Sequence, residues 1–320
     1  MALLSVKNLG VEFELRTGTV AALRDVSFDL ESGERIGIVG ESGAGKSVCA
    51  FAILNLISKP GFISSGRIWF KGNDLASLDG ESMRRIRGNE ISMIFQDPMM
   101  TLNPVLTIGT QMVETIRTHH PVSLDDARNI AVEKLKAVRI PSPETRLEQY
   151  PHELSGGMRQ RVVIAIALLS DPGIIIADEP TTALDVTIQA EILELLLTLC
   201  NDYHVGLILI THDLAVVSEV TQRILVMYAG RIIEQGTTRE IIARPSHPYT
   251  EGLIGALPEK TTPGQPLNQI PGVMPSLQDI PSGCAFHNRC EFAAQRCRSD
   301  LPRPTDLESR SVACHFPIRD

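Results

Sequence analysis

Eight consecutive residues, Gly40-Glu41-Ser42-Gly43-Ala44-Gly45-Lys46-Ser47, have the means to hold a polyphosphate. Glycines at that density let successive backbone N–H groups turn inward on phosphate oxygens, and Lys46 brings a cation to the β and γ phosphates. Ser47 adds a hydroxyl suited to Mg²⁺. Far downstream, Asp178 and Glu179 close the apolar run Ile174–Ala177. The first carboxylate suits Mg²⁺, held directly or through water, and the second can take a proton from an attacking water. Gln96 ends the run Ile91–Phe95 and offers an amide oxygen to the Mg²⁺ shell and an amide to a water, while Asp97-Pro98 turns the chain behind it. His212 follows Leu207–Thr211, from where one ring nitrogen can donate to a terminal phosphate. Each residue has a plain alternative: a Gly-rich turn with a surface lysine, a solvated acidic turn, a structural histidine. The chemical reading rests on the whole set.

Such residues need strands that end where ligands bind, outside the carboxyl edge of an open sheet. Arg35–Val39, Ile91–Phe95, Ile174–Ala177 and Leu207–Thr211 are short apolar runs of the kind buried on both faces, which favours a mostly parallel sheet. Ile188, Ile192, Leu195, Leu196 and Leu199 recur at helical spacing and supply a covering helix, so the core is an α/β layered domain. Leu4–Phe13 and Val20–Leu30 alternate like antiparallel strands, and Gly66–Phe70 joins them in a small β-subdomain. From Asp97 to Leu169 the helical pattern Leu124–Val138 and the turn Pro141-Ser142-Pro143 indicate an inserted helical subdomain. Past His247, prolines at 258, 263, 266, 271, 275 and 281 indicate an extended linker into a small Cys-bearing end domain. The expected domains are 1–246, with the helical subdomain at about 97–170, and 247–320, with a metal-cluster segment at 284–315.

A chain of 320 residues that is 43% hydrophobic can bury a sizeable core. Its 30 Lys+Arg against 38 Asp+Glu leave a net charge of −8, which argues against a nucleic-acid partner. The N-terminal residues MALLSVKNLG have no secretory pattern. The longest uncharged apolar stretch, Val162–Ser170, is far short of the roughly 20 residues that cross a bilayer. Any membrane role therefore requires other chains to supply the spans.

The stretch Leu154-Ser155-Gly156-Gly157-Met158-Arg159-Gln160-Arg161 precedes an apolar helix expected to begin near Met158. Its hydroxyl, N–H groups and helix dipole can all face an anion. It resembles the signature motif of ABC ATPases. The resemblance implies a P-loop NTPase with a RecA-like core, an antiparallel β-subdomain, a helical subdomain and a C-terminal Cys-bearing extension. It also implies that Ser155, Gly156 and Gly157 face the γ-phosphate of ATP held on the P-loop of a second ABC ATPase subunit, with two such sites in a head-to-tail dimer. Ala183-Leu184-Asp185 matches the loop that runs across that dimer, and Phe13 lies where the family stacks adenine. A plain strand-core role for Phe13 stays open. The motifs span Leu4 to Gly236 in the family's order.

His247-Pro248-Tyr249-Thr250, followed by Leu253, Ala256, Leu257 and Pro258, is similar to the region after the ATPase core in oligopeptide, dipeptide and nickel importers. That similarity implies a non-identical partner ATPase, two membrane permease subunits and a periplasmic or extracellular substrate-binding protein. It places the chain peripherally at the cytoplasmic face of the inner membrane. The cargo is dipeptide or oligopeptide, with nickel chelates or glutathione as alternatives. Of six cysteines, Cys284, Cys290, Cys297 and Cys314 have the spacing C-x5-C-x6-C-x16-C with His287 and His315 nearby, enough soft ligands for a tetrahedral site. Similarity to the dipeptide-importer subfamily implies a [4Fe–4S] cluster; Zn²⁺ and free or paired thiols stay open. A soluble ABC ATPase of translation or DNA repair would call for tandem cassettes or a coiled-coil insertion, and neither pattern occurs. A redox-sensing end domain is a third reading.

Overall fold

The computed structural model describes residues 2–182, 184–257, 268–307 and 309–318, so Ala183, Pro258, Pro263 and Pro266 lie outside the described residues. The strands described are β1 (Leu4–Leu15), β2 (Gly18–Leu30), β3 (Arg35–Val39), β4 (Gly61–Phe70), β5 (Asn73–Asp74), β6 (Ile91–Ile94), β7 (Ile174–Asp178), β8 (Gly206–Thr211), β9 (Arg223–Tyr228), β10 (Arg231–Thr237), β11 (Thr305–Leu307) and β12 (Arg310–Val312). The chain divides into two compact units. One holds residues 1–31, 35–77 and 209–320, and the other holds 32–34 and 78–208.

In the first unit β2, β1, β4 and β5 are neighbours in that order, and β1 is antiparallel to both β2 and β4. Leu4 and Val6 point inward, then the inward phase moves to Leu9 and Val11, all four fully buried. The phase changes because Asn8 takes a left-handed φ of 50° and the register shifts between Val6 and Leu9. Asn8 Nδ2 donates to Asp25 Oδ1 at 2.6 Å, which fastens this irregularity to a second left-handed residue, Asp25 at φ 59°. The same unit pairs β3 parallel to β9, with Val39 opposite Val226, and β9 turns back antiparallel into β10. From there β12 pairs with β10 and β11 with β12, so strands of the Cys-bearing segment extend the sheet that holds β3, β9 and β10. The extension expected from residue 247 is thus grouped with the N-terminal strands.

In the second unit β6 runs parallel to β7, Ile94 opposite Ala177. Strand β6 ends one residue short of the Ile91–Phe95 run. The helix expected around Ile188 to Leu199 spans Val186–Asp202, and the one expected at Leu124–Val138 spans Leu124–Ala137. Ile108–His119 is a further helix that periodicity did not reveal; Thr107 caps it, accepting from the Thr110 N–H. Among the described residues no helix is long and apolar enough to cross a membrane.

Candidate functional site

The loop Gly40–Ser47 lies between β3 and the helix Lys46–Ile53. Gly40 sits at φ 153° and Gly45 at φ 103°, conformations that L side chains rarely adopt. A Cβ on Gly40 would stand 2.3 Å from the Met227 carbonyl oxygen, and one on Gly45 would stand 2.9 Å from Leu23 Cδ2 and 3.0 Å from the Ala22 carbonyl oxygen. The loop therefore has its tight shape because these positions carry no side chain. Lys46 is buried, and its ammonium donates to the carbonyl oxygens of Gly40 (2.9 Å) and Glu41 (3.1 Å). Ser42 and Gly43 are exposed, Ala44 is buried, and Ser47 is half-buried on the first helical turn.

Phe13, near the end of β1, is half-buried with its ring against Gly61; a Cβ there would meet Phe13 Cε1 at 2.6 Å. His212 is exposed immediately after β8, where Asp213 begins the helix Leu214–Val220 as its cap. Cys49, behind the loop, is fully buried, and desolvation pushes its thiol up to about 12, consistent with packing rather than reactivity.

In the second unit, Gln96 follows β6 while Asp178 and Glu179 close the adjacent parallel strand β7, so all three reach the same edge. Gln96 Nε2 donates to Glu179 Oε2 at 3.3 Å, and the Thr182 hydroxyl donates to the same oxygen at 3.0 Å. Asp178 is buried. Glu179 is half-buried and held at φ 46°, a left-handed conformation that is unusual for a residue with a side chain. Sequence reasoning did not identify Thr182.

Ser155 caps the helix Gly156–Ala167, its Oγ accepting from the Met158 N–H at 3.3 Å; the hydroxyl hydrogen is left to donate elsewhere. Ser155 and Gly156 are exposed. Asp185 caps the helix Val186–Asp202, accepting from the Ile188 N–H at 3.0 Å. The two caps are neighbours, because a Cβ on Gly157 would lie 2.9 Å from Ile188 Cγ2. Val186, next to Asp185, is 82% exposed.

The four terminal cysteines line one small cavity together with Phe286, Phe292 and Phe316. The Cys284 N–H donates to the Cys297 carbonyl at 2.8 Å, which draws two of them together. Burial raises the thiols of Cys284 and Cys290 and pushes Cys314 up to about 11. His287 Nδ1 lies 2.8 Å from the Cys284 carbonyl oxygen and His315 Nε2 lies 2.8 Å from that of Asp300, so each ring engages the backbone through one nitrogen. Among the described residues no three His, Cys, Asp or Glu groups converge to hold one metal ion. What the described residues show is four thiols lining one small cavity.

Besides the β12–β10 pairing, an aromatic cluster and an ion pair join this segment to the rest of its unit, and sequence reasoning found neither. Phe286 packs edge-on against Tyr228 and Tyr249, ring centroids 5.3 and 5.4 Å away. Arg289 forms an ion pair with Glu41 in the loop Gly40–Ser47. The only sequence signal was the His247-Pro248-Tyr249-Thr250 stretch, which contains Tyr249.

A family model described as "ABC transporter" matches residues 23–182, and one described as "Oligopeptide/dipeptide transporter, C-terminal region" matches residues 233–297. The chain is 47% identical over 320 residues to the dipeptide transport ATP-binding protein DppD of Haemophilus influenzae, covering 100% of this chain and 97% of that one. It is 46% identical over 321 residues to DppD of Escherichia coli strain K12, with coverage of 100% and 98%. A putative peptide import ATP-binding protein of Brucella melitensis biotype 1 is 49% identical over 312 residues, with coverage of 94% and 92%. Among solved structures, the chain resembles the dimeric ATP-binding cassette MJ0796 in a post-hydrolysis state bound to ADP and Pi, with a TM-score of 0.66, 28% identity, and coverage of 74% of this chain and 99% of that one. For cbiO1 from Clostridium perfringens, part of the transporter complex cbiONQ, the TM-score is 0.64 at 29% identity, with coverage of 76% and 91%.

Proposed function

The chain belongs to the ATP-binding subunits of ABC transporters, and on that premise we propose that it is the ATP-hydrolysing motor of an importer of dipeptides and oligopeptides. The observation that carries this reading is the presence in one chain of a loop folded around Lys46 and an end region of oligopeptide/dipeptide transporter type at 233–297. Gly40–Ser47 takes the phosphates of ATP and Phe13 faces adenine. Ser47, Asp178 and Gln96 would supply oxygen donors to Mg²⁺, a group that fits the buried Asp178 carboxylate and would supply charge neutralisation when bound. Glu179 orients a water and takes its proton, with Gln96 and Thr182 holding the carboxylate for that task. His212 donates to the γ-phosphate.

Ser155, Gly156 and Asp185 face the nucleotide of a second cassette. Their exposure and that of Val186 support an interface here, since an apolar side chain in water beside two polar caps gains by being covered. Met100 (85% exposed) and Val105 (75% exposed), just after Gln96, offer a similar apolar surface to the permease subunits. Through those subunits the chain works at the cytoplasmic face of the membrane, with a substrate-binding protein delivering cargo.

The four cysteines hold a [4Fe–4S] cluster. Four thiols lining one cavity support this reading, since thiolates are the ligands such a cluster takes. When bound it acts as a staple on a segment with little apolar core of its own.

The test is ATP-dependent uptake of a radiolabelled dipeptide by the assembled transporter. Lys46→Ala should abolish uptake and ATP binding together; uptake that persists in this variant, or a transporter that takes up only nickel chelate or glutathione, overturns the corresponding part of the reading.

A further inference from the structure

Glu41 places a carboxylate inside a loop whose task is to bind a highly charged anion, and the structure cancels that charge from 248 residues away. Arg289 Nη1 donates to Glu41 Oε2 at 2.6 Å and Nη2 to Oε1 at 3.0 Å, a bidentate pair. The Arg289 side chain is only 5% exposed. Its remaining donors reach the carbonyl oxygens of Pro271 (2.8 Å) and Ile270 (3.4 Å) and the Tyr228 hydroxyl (3.5 Å), and the guanidinium lies over the rings of Tyr228 and Phe286. Glu41 is fixed a second time through its backbone N–H, which donates to the Tyr249 hydroxyl at 2.8 Å. A buried, fully engaged guanidinium of this kind is pre-organised for one carboxylate.

We propose that Arg289, supplied by the Cys-bearing extension, is a positioning residue for ATP binding: it neutralises Glu41 and ties the carboxylate back so that the phosphate loop presents a net attraction to the nucleotide. The extension is then part of the nucleotide site as well as an appendage to it. This inference rests on the reading of Gly40–Ser47 as the phosphate-binding loop.

The experiment is equilibrium binding of a fluorescent ATP analogue to the full chain. Arg289→Gln leaves the Glu41 charge uncancelled and should weaken binding about tenfold, roughly 1.4 kcal/mol. Salt screens repulsion between partly exposed charges, so the loss should shrink at high ionic strength. Glu41→Gln leaves Arg289 positive and should tighten binding about two- to threefold. Removing both charges should return the affinity to within about threefold of the wild type, a rescue that damage to the fold would not produce. An Arg289→Gln chain that binds like the wild type, a double variant no better than Arg289→Gln, or weaker binding by Glu41→Gln each overturns the proposal. If Arg289→Gln does not fold, the Glu41→Gln result decides alone. Lys46→Ala measured alongside separates the two levels: if it retains binding, the phosphate-loop reading itself falls, whereas loss there with no effect of Arg289→Gln sinks only this inference.

Discussion

Glu179 allows chemistry and strain to be measured at one position. Glu179→Gln keeps the size of the side chain and leaves an amide oxygen to accept from the Thr182 hydroxyl, which now sits 3.0 Å from the carboxylate. What it removes is an oxygen basic enough to take a proton. A positioned general base contributes about 10²- to 10⁴-fold, or about 3 to 5 kcal/mol at 1.36 kcal/mol per factor of ten. The turnover of the assembled transporter should fall by that range while ATP binding is kept. Glu179→Gly tests the backbone. At φ 46° a side chain costs about 1 kcal/mol that glycine does not incur. The hydrogen bonds lost with it, to Gln96 and Thr182, are exposed and exchange for water at little net cost. The glycine variant should therefore melt no lower than the wild type, and about 2 °C higher for 1 kcal/mol gained in a chain of this size, while being inactive. ATPase assays on the transporter and calorimetry on the chain read the two effects. Turnover by Glu179→Gln above a tenth of wild type would refute the base assignment, and a lower melting temperature for Glu179→Gly would refute strain retained for function.

Gly45→Ala should raise the dissociation constant for ATP at least fivefold, because a Cβ would meet Leu23 and Ala22 and the φ of 103° costs about 1 to 3 kcal/mol; isothermal titration that finds less than a twofold change contradicts the loop geometry. His247 is fully buried, its Nδ1 accepts from the Tyr249 N–H at 3.0 Å, and desolvation lowers its pKa to about 3. The depressed value means the unfolded chain takes the proton first, near pH 6.5, so stability is fully present above that pH and declines as pH falls from there toward 3. Between pH 7.5 and 5.5 this site contributes a loss of about 1.4 kcal/mol. His247→Asn, which keeps a helix-capping side chain but cannot titrate, should lose less in urea unfolding over the same interval. Anaerobically purified chain should carry about four iron atoms and a brown absorbance that Cys290→Ser abolishes; stoichiometric zinc, or no metal, would end the cluster reading.

The legibility of this site in the sequence follows the distance over which each part is assembled. Gly40–Ser47 is contiguous, and one strand and one helix turn it into a cradle, so residue types alone announce it. Gln96 and Glu179 are 83 residues apart, yet both end apolar strands, and the parallel pairing of β6 with β7 makes the strand-end argument sufficient to bring them to one edge. Thr182 was not legible because a threonine one turn past a carboxylate is unremarkable until Glu179 bends back over it at positive φ. The Cys segment marks the limit. Its spacing indicated soft ligands, but no periodic pattern in the three-residue β12 indicates pairing with β10, and nothing near Arg289 or Glu41 points from one to the other. Long-range ion pairs of this kind are set by two surfaces meeting, here the rings of Tyr228, Tyr249 and Phe286, and apolar packing of that sort leaves no local signature. The placement has a functional consequence. The packing that brings Arg289 to Glu41 is adjacent to Cys290, so on the proposed reading a loss of order in the cysteine segment would expose an uncompensated carboxylate in the loop assigned to ATP.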